Sequence, residues 1–557
     1  MDNQRLILLL VFSFSIIMLW ESWQKQVPPG VEHAPTAATL AQPAKPVTDN
    51  TVPVRTPEAA TATGAPLPAA QAPDDMALTP QTLEVRTDIF RAEISARGGD
   101  LIRLELLQHH ATEDKNKSFV LFDNGEKHLY QAQSGLLGEG LPNHKTIYQF
   151  TSTQQALAAG QQALTVRLES ALGQVRVAKT YTFHRSSYLI DVKEEITNTG
   201  TTPLTPHAYF QILRDGRPPE GTTGGMMGVN VFTGPAVYTE QDKYHKVSFE
   251  DIAKGKAKFP LKADNGWMAM VQHYFVAAWL PEGKTEREFF IRKLGDDLYS
   301  AGIILPVATI APGATSKVDI GLYAGPQEQT KLAKIAPGLD LVVDYGWLTV
   351  VAAPLFWVLE MIHKLVGNWG WAIIVLTVLL KLIFYPLSAA SYKSMAKMKV
   401  VAPKLTKLKE TYGDDRERLN KEMMDLYKRE KINPLGGCLP VLVQIPVFIA
   451  LYWVLLGTVE IRYAPFIGYI HDLSAKDPYF ILPIVMGLTM VLQTKLNPAP
   501  PDPIQAKVMM FMPIIFTGMF LFFPAGLVLY WVVNNVLSIA QQWQVNRVIE
   551  AGGGKTA

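Results

Sequence analysis

Long apolar runs are bunched at the start and in the second half of the chain, and the stretch between them alternates polar and apolar residues. The first run, 6–20, is uncharged, and Trp20 and Trp23 lie at its end. A helix of this length reaches only ~22 Å, less than the ~30 Å hydrocarbon core of a bilayer. Because tryptophans suit the membrane interface and no small-x-small cleavage site follows, we predict an uncleaved signal anchor over 1–23. A cleaved secretory signal is the alternative.

The next two stretches differ sharply in pattern. Residues 24–80 are mostly proline, alanine and threonine, a composition that buries too little apolar surface to fold and predicts a flexible linker. From 81 to 340 the apolar residues recur with a period of two, as at Val175, Val177 and Tyr181, and turn-forming residues separate the runs. Many short alternating strands predict one large antiparallel β-sandwich domain.

Further apolar runs in the second half are long enough, with some tilt or thinning of the bilayer, to cross a membrane. They cover 369–387, 435–459, 481–492, 509–523 and 525–539. The loop 388–433 carries twelve cations against seven acids, so the positive-inside rule places it in the cytoplasm. Together with the first run, this predicts six spans, with both chain ends inside and the β domain outside.

The apolar segment 345–366 needs a separate interpretation. It carries Glu360 and Lys364, and only two residues separate it from the run that begins at Trp369. The predicted orientation leaves no room for another crossing between the first run and 369–387. We therefore predict that 341–367 holds an amphipathic helix that lies in the outer membrane interface.

The basic loop 388–433 shows helical periodicity on two faces, with Gly413 as a break between them. This predicts a charged helical hairpin in which breaks at Pro403 and Gly413 limit the rigidity. Its apolar faces carry methionines at Met395, Met398 and Met423. These thioethers form either the core of the hairpin or a surface for apolar clients of varied shape, and the pattern leaves both open.

Composition narrows the possible functions. Charged residues make up 18% of the chain, below the roughly 25% of ordinary soluble domains, and the net charge of +2 argues against a general nucleic-acid binder. The single cysteine, Cys438, excludes an intrachain disulfide and a Cys-based zinc cluster. Phosphate-loop, dinucleotide and HExxH motifs are absent from the sequence. We therefore predict no catalytic residue, no cofactor and no metal site.

Polar side chains inside the predicted spans carry the candidate chemistry. Lys381 lies in a span, where a cation at the bilayer centre costs at least ~2.5–3.5 kcal/mol. It either snorkels to the headgroups or lines a hydrated cavity. Thr377 lies one turn away on the same face, and Gln444 and Thr489 lie in other spans, with an asparagine pair at 534–535 in the last. Together they predict a wet groove open to the cytoplasm.

At this point several motifs match a known family. They read SAASYKSMAKMK from Ser388, NPLGGCLP at 433–440, HDLSAKDPYFILPI at 471–484 and PAGLVLYW at 524–531. In this order and topology the chain closely resembles the YidC/Oxa1/Alb3 membrane protein insertases. The β domain between the first two spans resembles the Gram-negative YidC form.

The resemblance implies a multi-pass α-helical protein of the Gram-negative inner membrane with a periplasmic β-sandwich. A five-span insertase core would cover 368–547, and a short cytoplasmic tail 548–557. The core would hold a positively charged groove, whose cation is commonly arginine in the family and is Lys381 here; charge is kept but the bidentate fork is lost. The family's substrate-contacting positions correspond to Thr377 and Met486, and its aromatic pair in the last span corresponds to Tyr530 and Trp531.

The function expected from the resemblance is that of a membrane protein insertase and chaperone, not an enzyme, acting alone or with the Sec translocon. The implied partners are nascent inner-membrane proteins, the Sec translocon and its accessory subunits, the ribosome, the signal-recognition pathway and the lipid bilayer, but not DNA. A solute or ion transporter is the alternative, although no inverted repeat is visible. A periplasmic sugar-binding receptor is a third possibility, for which no convincing aromatic and carboxylate cleft is seen.

Overall fold

The computed structural model describes residues 51–53, 81–112, 114–125, 128–219, 231–413, 415–430, 439–496 and 503–553. The chain divides into two compact units. Of the described residues, the β unit comprises those within 51–369 and 446–475, and the helical unit comprises those within 370–445 and 476–553. The predicted signal anchor, the predicted linker except 51–53, and the last four residues of the predicted tail lie outside the described residues.

The β unit is built on two antiparallel sheets of nine strands each. The strands are β1 Thr82–Arg86, β2 Phe90–Ser95, β3 Leu101–His110, β4 Ser118–Asn124, β5 Leu129–Leu137, β6 Gln149–Phe150, β7 Ala163–Leu172, β8 Val175–His184, β9 Leu189–Asn198, β10 His207–Asp215, β11 Gly234–Thr239, β12 Lys243–Lys246, β13 Lys262–Ala263, β14 Trp267–Gln272, β15 Phe275–Pro281, β16 Arg287–Lys293, β17 Leu298–Pro306 and β18 Thr315–Pro326. The first sheet has the order β1-β2-β3-β4-β5-β10-β17-β16-β13. The second has the order β12-β11-β14-β15-β18-β9-β8-β7-β6.

The period of two in the sequence is the period of burial in these strands. In β8, Val177, Tyr181 and Phe183 are buried while the intervening Thr180 and Thr182 are partly exposed. Central strands such as β10 and β15 are buried along nearly their whole length, as expected where both faces of a sheet are covered. The predicted β-rich domain is confirmed as two antiparallel sheets.

Helices occur in both units. They are α1 Phe249–Ala253, α2 Gln329–Ile335, α3 Thr349–Val366, α4 Trp369–Ile383, α5 Tyr385–Tyr412, α6 Arg416–Arg429, α7 Leu439–Gly457, α8 Ile481–Leu496, α9 Pro503–Phe520 and α10 Ala525–Gly553. Short 3-10 helices cover Leu339–Val342, Gly346–Leu348 and Val459–Ile461.

Few of these helices are long and apolar enough to cross a membrane unaided. Within the described residues α3 alone passes that test, and the pair Trp369–Ile383 and Tyr385–Met395, bent by 66°, passes it as one broken span. The helices Val443–Gly457, Ile481–Leu496 and Ala506–Phe520 are apolar but shorter. The count of six spans therefore stays a prediction, as does the interfacial placement of α3.

Helices α5 and α6 pack against each other around Val401 and Tyr427. Gly413 ends α5, and the Asp415 carboxylate caps α6 by accepting from the Arg418 backbone N–H at 3.0 Å. The break expected at Pro403 was wrong, because α5 runs through it without interruption. Val401 lies before the proline in the core shared with α6, and Leu405 packs against that core from beyond it, so packing on both sides holds the helix together.

Within the β unit, the segment that follows α7 is attached to the strands by Arg462 and its neighbour Tyr463. The Arg462 guanidinium lies 4.7 to 5.6 Å from the ring centroids of four aromatic side chains, which are Phe119, Tyr274, Phe275 and Tyr463. Its Nη2 also donates to the His110 carbonyl at 2.7 Å. The Tyr463 hydroxyl donates to the Ala111 carbonyl at 2.6 Å. We call this arrangement the Arg462 cage; it fixes the start of the segment 458–475.

We expect Arg462→Ala to loosen this segment. Amide hydrogen exchange at Ala464 and Leu473 should rise on the order of tenfold to a hundredfold, because a desolvated cation–π contact and a charged hydrogen bond together contribute about 2 kcal/mol or more. Arg462→Lys should give an intermediate rise, because its ammonium keeps the charge but loses the planar stacking. Arg91→Ala, at a partly exposed arginine on β2, is the control. Unchanged exchange in Arg462→Ala would show that the cage does not hold the segment.

Candidate functional site

Helix α10 carries polar side chains on an otherwise apolar sequence. They recur at intervals of three, four or seven residues, so they line up in two stripes along the helix. The first stripe consists of Tyr530, Asn534, Ser538 and Gln541, and the second, adjacent stripe consists of Asn535 and Gln542. Both stripes contact other helices of the helical unit through hydrogen bonds, so α10 is the element around which the candidate site is assembled.

Lys381, on α4, reaches the first stripe. Its Nζ donates to the Ser538 hydroxyl at 2.6 Å, and that hydroxyl donates to the Asn534 carbonyl at 2.7 Å. Among the residues that the structure describes, no carboxylate forms an ion pair with Lys381. A neutral hydroxyl therefore holds the ammonium, and no acidic side chain of the described residues neutralises its positive charge.

Gln444, on α7, reaches the same stripe from another helix. Its Nε2 donates to the Asn534 Oδ1 and lies 3.5 Å from the Tyr530 hydroxyl. Asn534 thus accepts from Gln444 through its side chain and from Ser538 through its backbone. One hydrogen-bonded chain, which we call the polar relay, connects Lys381 to Gln444 across three helices.

The second stripe connects α10 to α8. The Asn535 Nδ2 donates to the Thr489 hydroxyl at 3.1 Å, and that hydroxyl donates to the Met486 carbonyl at 2.7 Å. Helix α8 also lies close to α9, because a Cβ added to Gly487 would sit 2.1 Å from the Thr517 Oγ1. Small residues permit such close helix contacts in membrane proteins.

The structure joins some of the predicted site residues and separates others. Lys381, Gln444 and Tyr530 share the polar relay, and Thr489 and Met486 share the second stripe's contacts. Thr377 is 1% exposed and donates to the Ile373 carbonyl of its own helix at 2.6 Å. Trp531 packs against two aromatic rings of α9, with its ring centroid 6.2 Å from Phe516 and 5.2 Å from Phe520.

Sequence reasoning missed Ser538, which is the direct partner of Lys381. The available signal was its spacing of four residues from Asn534, which extends the polar stripe by one helical turn. In the α5–α6 pair, Met398 and Met423 pack against the core, whereas Met424, also missed, is 48% exposed. No group of His, Cys, Asp or Glu that could hold a metal ion occurs in the described part of the chain.

The comparisons with known proteins agree with this architecture. Residues 82–358 match the family model described as the YidC periplasmic domain. Residues 361–552 match the model described as the 60Kd inner membrane protein. The boundary between the two matches, at 358–361, lies within helix α3.

Similar proteins extend over the whole chain. The membrane protein insertase YidC of Aromatoleum aromaticum is 61% identical over 561 residues, covering 100% of both chains. That of Dechloromonas aromatica is 58% identical over 555 residues, covering 99% of this chain and 98% of its own. A crystal structure of an active YidC insertase covers 83% of this chain and 92% of its own at 19% identity, with a TM-score of 0.38. Because two family models span most of the chain and these relatives span all of it, the chain belongs to the YidC family of membrane protein insertases.

Proposed function

We propose that this membrane protein insertase moves the polar end of a client segment along the polar relay of α10. The observation that carries the proposal is the connection of Lys381, Ser538, Asn534 and Gln444 by hydrogen bonds across three helices. A polar group that enters hydrocarbon without a partner loses its hydrogen bonds to water at a cost of several kcal/mol. Ammonium, hydroxyl and amide groups on one face can replace those bonds during the crossing. No covalent bond changes, so no cofactor is required.

Lys381 supplies attraction for acidic client residues in this proposal. Its ammonium is held by a hydroxyl at 2.6 Å, so the charge stays available to an incoming carboxylate. At an effective dielectric constant of about 20, two opposite charges 4 Å apart attract by about 4 kcal/mol. A lysine acts as a point charge rather than as a planar fork, so we infer attraction without a fixed Lys–carboxylate geometry.

The apolar part of the proposed path comes from α8, α9 and α10. Met486 is fully buried beside the second stripe, and Trp531 lies among the aromatic side chains of α9. Large apolar side chains of α8 and α9 are exposed, among them Ile484 at 53% and Ile514 at 66%. Exposed aliphatic surface of this extent fits contact with lipid or with a hydrophobic client segment.

The proposed topology has six spans, with both termini in the cytoplasm of a Gram-negative cell and the β unit in the periplasm. Its division is a signal anchor over 1–23, a linker over 24–80, a β-sandwich over 81–340, an interfacial helix over 341–367, a five-span core over 368–547 and a tail over 548–557. Helix α3 supports the interfacial placement, because it buries Phe356 and Leu359 on one side and exposes Trp357 and Leu365 on another. Apolar surface on two sides suits a helix that contacts both protein and lipid.

The α5–α6 pair is proposed to receive clients in the cytoplasm. The hairpin 388–433 has a net charge of +5, from twelve cations and seven acids, which would favour anionic headgroups or ribosomal RNA. Met424 gives it an exposed thioether for apolar segments. Nascent inner-membrane proteins are the proposed clients, and the Sec translocon, the ribosome and the signal-recognition pathway are the proposed partners.

The proposed role of Lys381 predicts that insertion activity depends on a positive charge at this position more than on the shape of the side chain that carries it. Lys381→Arg should keep insertion activity, whereas Lys381→Leu should slow insertion of clients with acidic tails about tenfold, equivalent to about 1.4 kcal/mol. Ser538→Ala is the matched control, because it removes the hydrogen-bond partner and keeps the cation. The measurement is protease protection of a two-span client in liposomes that contain the purified protein. Full activity of Lys381→Leu with every client would remove the electrostatic role.

The hairpin proposal predicts an order of events. Deleting 411–416 should abolish client capture while leaving the membrane helices folded, because these residues join α5 to α6 outside the polar relay. Photo-crosslinks from Met395, Met423 or Met424 to a stalled nascent chain should precede crosslinks from Thr377 or Trp531. If crosslinks from the membrane positions come first, or persist undiminished after the deletion, the hairpin is not the receiving element.

A further inference from the structure

A short piece of the predicted linker lies on the β unit. Residues 51–53 are described, with Pro53 buried and Thr51 and Val52 partly buried. The side chains that hold this piece come from β10, β16 and the stretch between β5 and β6, more than ninety residues away in sequence. The contact is therefore tertiary and specific to this place on the first sheet.

The contacts are directed at the backbone of the segment. Arg292 donates to the Thr51 carbonyl at 3.0 Å and to the Val52 carbonyl at 3.2 Å. The Gln211 Nε2 donates to the Thr51 carbonyl at 3.3 Å. The segment also makes a side-chain contact, which joins His144 Nε2 to the Thr51 hydroxyl at 3.0 Å. Recognition thus depends mainly on carbonyl oxygens, which every extended polypeptide offers.

Two of the three groups, Gln211 and His144, are held in place by a buried polar network. Gln211 is fully buried, its Nε2 also donates to Gln133 at 2.8 Å, and its Oε1 accepts from the Ser300 hydroxyl at 2.9 Å. His144 is 6% exposed, and its Nδ1 is hydrogen-bonded to the Tyr209 hydroxyl. Buried donors held in this way are preorganised, so little side-chain freedom is lost when a carbonyl binds them.

We propose that His144, Gln211 and Arg292 form a binding site for an extended polypeptide segment, which we call the carbonyl site. The chain's own Thr51–Pro53 occupies it in cis, and an extended segment of a client that emerges on the same side displaces it. This last step rests on the proposed periplasmic placement of the β unit. The preferred ligand has a hydroxyl residue, a β-branched apolar residue and then proline, since proline restricts the residue before it to the extended conformations that the site holds.

Competition between the two segments follows from tethering. A segment that belongs to the same chain as its site acts at an effective concentration, in about the millimolar range for a short connection. A peptide added in trans must overcome that concentration in the wild-type protein, whereas it meets an empty site if the cis segment cannot bind. The cis segment therefore acts as a plug that weak, nonspecific peptides do not displace.

The test uses the full-length protein in detergent and a fluorescein-labelled peptide with the sequence of residues 46–58. In one variant Thr51, Val52 and Pro53 are replaced by Gly, Ser and Gly, which keeps the linker length but removes the Thr51 hydroxyl and the extended conformation that proline imposes, so occupancy of the site in cis should fall. Fluorescence anisotropy should show peptide binding to this variant at a concentration at least tenfold lower than to the wild type. Absence of binding to the variant, or equal binding to both proteins, would overturn the carbonyl site.

Two further measurements assign the binding to the named groups. Adding Arg292→Gln to the linker variant should weaken binding at least tenfold, whereas Arg91→Gln on β2 should not change it. A peptide whose Thr51 and Val52 carbonyls are thioamides, which are weaker acceptors, should bind about fivefold more weakly to the unmodified site, independently of any folding defect. Equal affinity of the two peptides would contradict carbonyl recognition.

The outcome is separable from that of the proposed insertion function. The linker variant leaves the polar relay intact and should insert a client without a periplasmic segment at the wild-type rate. Failed peptide binding with normal insertion would overturn the carbonyl site alone. Normal peptide binding together with full insertion activity of Lys381→Leu would overturn the polar relay alone.

Discussion

The structure depends on one constraint, which is that a polar group removed from water must find another partner. In the helical unit that constraint is met along α10, where Asn534 and Ser538 bind groups from α4 and α7. The same groups that hold the helices together are the ones that can exchange partners with a crossing polypeptide. Stability and the proposed insertion path therefore use one set of hydrogen bonds.

The β unit meets the same constraint with arginines that bind backbone carbonyls. Arg462 donates to the His110 carbonyl inside a cage of aromatic rings, and Arg292 donates to two carbonyls of the linker piece 51–53. Both contacts join segments that are far apart in sequence. A guanidinium suits this task because its planar fork serves several acceptors at once and stacks on rings. The β unit thus holds the segments that enter and leave it through a small number of charged hydrogen bonds.

Much of the fold could be predicted from sequence because periodicity is a local property. The period of two predicted the strands of the β unit, and the motifs from Ser388 to Trp531 identified the family that the comparisons confirm. What could not be predicted were contacts between distant positions, such as Lys381 with Ser538 and Arg462 with His110. The break expected at Pro403 was wrong for the same reason, since packing against α6 is not visible in the local pattern. Periodicity gives the faces of an element, but not its partners.

The central claim is that the Lys381 charge acts directly on acidic residues of the client. A double-mutant cycle tests it, in which Lys381 is changed to Glu and the acidic residues that flank a client segment are changed to Lys, singly and together. Insertion rates in liposomes give the coupling. The account predicts that the double variant inserts at least about tenfold faster than the two single changes, added together, would give. This ratio corresponds to a coupling of about 1.4 kcal/mol. Rates that combine additively, with no restoration, would contradict it.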